Sequence, residues 1–170
     1  MGGMYVGVGG WSYEPWEESF YPSDLKKKDQ LGYAASKLTS IEINATYYRS
    51  QTPKTFANWA AAVPDGLRFS LKASRFATNR RILAEAGESI GKVMVQGFTE
   101  LGDKLGPIVW QFAGTKQFDE ADMAAFIKLI PQQVDGIAVQ HAFEVRHESF
   151  ADAAFERLMQ DAGFAVVLAE

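Results

Sequence analysis

The sequence predicts an α/β fold built on a parallel sheet. Short apolar runs rich in β-branched and aromatic residues alternate with longer segments of helical period, the pattern of successive β/α units. Strands are expected at about 5–9, 40–45, 67–73, 107–112, 137–146 and 164–169. Helices are expected between them at about 29–37, 53–62, 88–104, 119–130 and 149–161, each with apolar residues three or four apart, such as Met123, Phe126, Ile127 and Ile130.

The residues at the element ends agree. Thr52-Pro53 sets a capping hydroxyl before a proline at a first helical position, and Asp119-Glu120 makes an acidic first turn. Gly163 stands where a left-handed C-cap would end the last helix. Lys26-Lys27-Lys28 is read as a solvated loop or helix start.

Composition narrows the function classes. The chain has 170 residues, 47% of them hydrophobic, which suits one domain with a buried core and excludes a disordered or collagen-like chain. Lys and Arg number 17 against 21 Asp and Glu, so no global basic field draws the chain to nucleic acid or an anionic membrane. Without cysteine there is no disulfide, thiolate metal site or cysteine nucleophile. The N-terminus lacks signal-peptide character, and no apolar run approaches the ~18 residues of a membrane span. A cytoplasmic protein is expected.

Strand alternation orients the polar residues. Side chains two apart share a face, so Glu42 and Asn44 point one way while Ile41 and Ile43 point the other. Ser70 and Lys72 form a similar pair, Gln111 interrupts an apolar run, and Glu144 and Arg146 lie opposite Phe143 and Val145. All sit late in their strands, so a parallel sheet brings them to one end. Glu42 and Glu144 balance Lys72 and Arg146 in charge. They form either a buried ionic network, for which desolvation leaves little net gain, or a ligand site with carboxylates as acid or base and cations as anion clamps. His147 would add a proton carrier. His141, on the opposite face from Glu144, is read as a packing residue.

Several segments, in order and at compatible spacing, resemble a known family. They are Gly9-Gly10-Trp11-Ser12-Tyr13 with Trp16 and Phe20-Tyr21-Pro22, the run Glu42-Ile43-Asn44-Ala45-Thr46-Tyr47-Tyr48, Trp59, and Phe69-Ser70-Leu71-Lys72. Leu105-Gly106-Pro107 with Gln111, and Glu144-Val145-Arg146-His147-Glu148-Ser149-Phe150, complete the set. Together they resemble the YecE-like family, domain of unknown function 72, from near residue 5 onward. The resemblance implies a TIM-type (β/α) barrel with Trp11, Ser12, Glu42, Asn44, Tyr47, Lys72, Gln111, Glu144, Arg146 and His147 around its mouth. It implies no particular reaction. The chain departs from the family at Thr78-Asn79-Arg80-Arg81, where members carry a histidine, and at Phe150, where tryptophan is usual; Glu170 keeps a carboxylate where aspartate is common.

Length departs too. Strand starts about 32 residues apart would need roughly 250 residues for eight units, so about six of eight are expected here. A single C-terminally truncated barrel domain over 1–170 is the favoured expectation, with self-association through the incomplete edge as the alternative.

The chemistry expected at the mouth is binding of a small anionic ligand, phosphorylated or sugar-like. Glu42 or Glu144 would act as acid/base, Lys72 and Arg146 as clamps, and Trp11, Ser12, Asn44, Tyr47, Gln111, Arg80 and Arg81 as further ligand contacts. The rival is a noncatalytic nucleic-acid or protein binding module using the basic loop 75–81, with nearby aromatics to stack on bases. With two histidines and no HxH or HExxH spacing, neither a metal nor a cofactor is expected. No nucleophile elbow, P-loop or dinucleotide fingerprint is present, and Gly7-Val8-Gly9-Gly10 is read as close packing that leaves room for a ligand.

Overall fold

Alternation along the apolar runs becomes a sheet with two unlike faces in the computed structural model, which describes residues 3–169. In chain order its elements are β1 (Gly7–Gly9), α1 (Trp16–Ser19), α2 (Gln30–Lys37), β2 (Ser40–Ile43), α3 (Ala45–Tyr48), α4 (Pro53–Ala61), β3 (Arg68–Lys72) and α5 (Arg75–Thr78). There follow α6 (Gly87–Met94), β4 (Leu105–Gln111), α7 (Glu120–Lys128), β5 (Gln133–Val134), β6 (Ile137–Ala138), β7 (His141–Glu144), α8 (Ala153–Ala162) and β8 (Ala165–Val166). Short 3-10 turns intervene, one of them over Lys27–Asp29 within the lysine run.

Six strands pair in the order β1-β2-β3-β4-β7-β8, every pair parallel. Neighbours in space follow one another in sequence through helical crossovers, the winding of a TIM-type barrel over six strands. Among the described residues β1 and β8 do not pair, so the sheet stays open. Between β3 and β4 the register shifts at Phe69/Leu71, opposite Gly106-Pro107. Proline has no N–H to give the ladder, and a Cβ on Gly106 would meet the Phe69 carbonyl oxygen at 2.7 Å.

One face of the sheet carries the core. Ile41, Ile43, Phe69, Leu71, Ile108, Trp110, Phe112 and Phe143 are buried with Phe56 of α4, Val93 of α6, Phe126 of α7 and Phe155 of α8. Trp110 meets Phe126 edge to face at 5.5 Å. Thr52 and Gly163 cap as predicted, the Thr52 hydroxyl accepting from the Thr55 amide and Gly163 adopting φ +69° after α8; Asp119, expected in an acidic first turn, is the cap of α7, its carboxylate accepting from the Asp122 amide.

Two predicted elements are broken, each for a local reason. The helix expected over 88–104 stops at Met94, because Gly97 takes φ +89° and packs so closely on Pro53 that a Cβ would lie 2.5 Å from its Cγ; a 3-10 segment then runs over Phe98–Lys104. The strand expected over 137–146 is split. Asp135 (φ +52°) and Gly136 (φ +77°) form a tight left-handed turn that pairs β5 antiparallel with β6, and the parallel strand resumes only at His141.

His141 is a packing residue, as its position on the helix-covered face predicts. It is 3% exposed; its Nδ1 accepts from Trp110 Nε1 at 3.2 Å, which leaves Nε2–H to donate to the Pro131 carbonyl at 3.0 Å. Burial pushes its pKa below the ordinary histidine value, against the opposing effect of the Pro131 bond. A depressed folded pKa means that the unfolded chain takes up the proton first. The neutral ring therefore stabilises the fold above the unfolded value near 6.5, and this contribution is lost as pH falls through the folded value. Urea unfolding between pH 8 and 5 should show stability declining below about pH 6.5. His141→Leu should be less stable at pH 8, with Trp110 Nε1 unpaired, and should show a shallower decline on acidification.

Candidate functional site

The face of the sheet opposite the core is open and mixed in character, with Leu105, Pro107 and Ile137 beside its polar residues. Ser40 and Glu42 of β2, Arg68 and Ser70 of β3, Val109 of β4, and Ala142 and Glu144 of β7 line a groove of about 910 Å³. These are the alternate residues of strands whose other members form the core, so the same period of two makes both surfaces.

At the C-terminal strand ends the predicted polar residues gather into two clusters. In the first, Lys72 Nζ lies 3.2 Å from Glu42 Oε1, with both side chains only 16–24% exposed. Parallel register sets Glu42 level with Gly9 and Ser70, and it places Lys72 one pleat further along β3. Gly9 makes room here for protein side chains: a Cβ would stand 3.2 Å from Asn44 Nδ2 and 3.4 Å from Glu42 Oε1. Asn44 Oδ1 is buried without a hydrogen-bond partner. Lys72 Nζ is 5.9 Å from the Tyr47 ring centre, and Thr46 donates its hydroxyl to the Lys72 carbonyl at 2.7 Å, tying α3 to the end of β3.

The second cluster joins β4 to β7, whose register sets Gln111 against Glu144. Gln111 Nε2 donates to Glu144 Oε2 at 2.7 Å, while Arg146 donates to Oε1 through Nε at 2.9 Å and Nη2 at 2.5 Å. Both Glu144 oxygens are thus occupied, and the residue is 8% exposed. Glu42 differs: Oε2 has no hydrogen bond among the described residues. The four charges therefore form two local pairs, and no contact among the described residues merges them into one network.

The remaining predicted residues stand apart from these clusters. His147 is occupied locally, its Nδ1 accepting from the Ser149 amide at 3.1 Å while the Ser149 hydroxyl lies 2.9 Å away. Trp11 packs edge to face on Trp59, and its carbonyl accepts from Tyr21 Oη at 2.5 Å. Ser12 donates to Gln30 Oε1 at 3.4 Å. Glu170 lies outside the described residues.

The basic loop is less free than its sequence implies. Arg75 lies over the Tyr48 and Phe76 rings, and Arg80 donates to the Phe76 carbonyl at 2.7 Å and to Ser89 Oγ at 2.9 Å. The Arg81 guanidinium has no hydrogen bond or ion pair among the described residues. Asp122 is a contributor that sequence reasoning missed. Its carboxylate accepts from the Leu83 and Ala84 amides and pairs with Lys116 Nζ at 3.0 Å. Burial alone would raise its pKa, but those amides and Lys116 together hold it below the usual carboxylate range. These partners are 6 to 39 residues away in sequence, and no short motif marks them.

Among the described residues no group of three or more His, Cys, Asp or Glu could hold a metal, and no helix is long and apolar enough to cross a membrane.

Comparison with known proteins agrees with this fold. No curated protein matches the chain. Among solved structures, a DUF72 family protein from Thermotoga maritima MSB8 matches with a TM-score of 0.75 at 22% identity, covering 98% of this chain and 64% of that one. A DUF72 family protein from Enterococcus faecalis V583 matches with a TM-score of 0.71 at 20% identity, covering 98% of this chain and 62% of that one. The chain thus spans about three-fifths of the length of these structures. The model of the protein family of unknown function DUF72 matches residues 5–170, and the chain belongs to that family.

Proposed function

We propose that the C-terminal strand ends bind a small hydroxyl-rich ligand that carries an anionic group, such as a sugar acid or sugar phosphate. The observation that carries this reading is the half-buried Glu42–Lys72 pair, of which Glu42 lines the open groove, beside an Asn44 carbonyl oxygen that has no partner. An ion pair removed from water without many further hydrogen bonds gains little for the fold, whereas ligand hydroxyls would complete these unfilled positions.

The two carboxylates suit different roles. Glu144 is saturated by Gln111 and Arg146, which fits an anchor that aims the Arg146 guanidinium. Glu42 has one oxygen free, and Lys72 has donors left beyond its single pairing. A ligand anion that engages Lys72 would leave Glu42 able to take a proton from a ligand hydroxyl. Acid/base work, if the bound ligand reacts, falls to Glu42.

The carboxylates should also separate by stability. Glu144→Gln should cost about 1–2 kcal/mol in urea unfolding, because a buried amide replaces the acceptor of Gln111 while Arg146, 54% exposed, keeps its contact with solvent. Glu42→Gln should change stability by no more than about 1 kcal/mol, since that pair retains solvent contact.

For binding, thermal shift of the full chain against matched neutral sugars, sugar acids and sugar phosphates is the direct measurement. An acidic sugar should raise the melting temperature more than its neutral parent, and Lys72→Met should remove that difference. Equal shifts for acid and neutral forms, or a difference that survives Lys72→Met, would sink the proposal.

A further inference from the structure

Beside the mouth lies a second cavity, of about 600 Å³, between the segment after β3 and the loop after β4. Three cations line it, Arg80, Arg81 and Lys116, with no carboxylate in its wall. Two of them are already positioned. Arg80 is held by the Phe76 carbonyl and Ser89 Oγ, and Lys116 by the Arg81 carbonyl at 2.9 Å and Asp122 Oδ2 at 3.0 Å. Each keeps donors beyond those bonds, and Arg81 keeps all of its own among the described residues. Asp122 balances Lys116 from behind, and Glu88, which also acts on Arg80, is itself paired with Lys92 at 2.6 Å, so an excess of positive charge faces the cavity.

A second observation is independent of charge. Thr78 lines the same cavity, is 1% exposed, and its hydroxyl has no hydrogen-bond partner. Buried hydroxyls without partners are rare in native folds because desolvation is not offset. An acceptor oxygen brought by a ligand would supply the missing partner.

We infer that this cavity holds the phosphate group of a small phosphorylated ligand. A phosphate matches it better than a carboxylate does: its double charge meets the excess positive charge, and its several oxygens can take Arg80, Arg81, Lys116 and the Thr78 hydroxyl together. A nucleic-acid backbone would need a track of cations, whereas the neighbouring Arg75 lies over aromatic rings. The cavity shares a wall with the mouth, since Asn79 lines it and donates to Tyr47 Oη at 3.3 Å. The inference stands without the mouth proposal, because it involves neither Glu42 nor Lys72.

The test is calorimetric titration of inorganic phosphate into the full chain at low ionic strength. Wild type should bind, and Arg81→Gln should bind at least about tenfold more weakly. Thr78→Val should bind several-fold more weakly while melting no lower than wild type, because it removes an unpartnered buried hydroxyl. Lys72→Met, which removes the anion clamp of the mouth, should leave the Arg81-dependent binding of phosphate in place, which separates this site from the mouth. No binding at millimolar phosphate, or undiminished affinity in Arg81→Gln, would overturn the inference. So would tight binding of a single-stranded oligonucleotide without terminal phosphate by a chain that ignores inorganic phosphate.

Discussion

The structure depends on the covering of one face of a parallel sheet by helices while the other face stays open. Strand residues alternate, so each strand must satisfy two environments at once. β2 does so with Ile41 and Ile43 toward the helices and Glu42 toward the groove; β3 does so with Phe69 and Leu71 against Ser70 and Lys72. A slip of one residue in β2 or β3 would turn Glu42 or Lys72 toward the core and leave an isoleucine or phenylalanine in the groove. Register is therefore strongly specified by the core. Once it is set, Lys72 reaches Glu42, and Gln111 reaches Glu144, without further positioning.

This coupling accounts for what was legible in the sequence. The core face and the polar face follow from a period of two, and the capping residues Thr52, Asp119 and Gly163 act over three or four residues, so both are local information. The parallel sheet and the family resemblance then bring the polar residues to one end. Pairing was harder to foresee. Glu42, Lys72, Glu144 and Arg146 balance in charge whichever partners they choose, and only β2-β3 adjacency and the short Glu144-Val145-Arg146 spacing divide them into two pairs. The split of the fifth strand was in fact signalled by Asp135-Gly136, a tight-turn dipeptide just before the apolar run. Periodicity outweighed that signal. Gly97 was obscured differently: its close approach to Pro53 is a contact between segments 44 residues apart, and nothing near Gly97 reports it.

Asp122 and Lys116 illustrate how the loops at the strand ends gain order without regular structure. Asp122 gathers two amides and an ammonium, and that ammonium also binds the Arg81 carbonyl. Three backbone groups of the β3–α6 connection thus meet at one carboxylate on α7 and one ammonium on the β4–α7 connection. Such a hub restrains the backbone around Arg80 and Arg81 in advance of any ligand, so a ligand would not have to order that backbone itself.

Two unpartnered polar atoms, Asn44 Oδ1 and Thr78 Oγ1, mark the remaining tension in the fold. They need opposite complements. The amide oxygen accepts only, so it calls for a donor such as a hydroxyl, whereas the threonine hydroxyl can give its proton to an anion. The first stands beside the Glu42–Lys72 pair and the second beside Arg80 and Arg81, so each agrees with the charges around it. A purely structural role would leave both atoms desolvated without return, although aliphatic residues of similar size were available at either position. A ligand that brings hydroxyls and an anionic group to the mouth and a phosphate to the second cavity would satisfy both, across the wall that Tyr47 and Asn79 form between them.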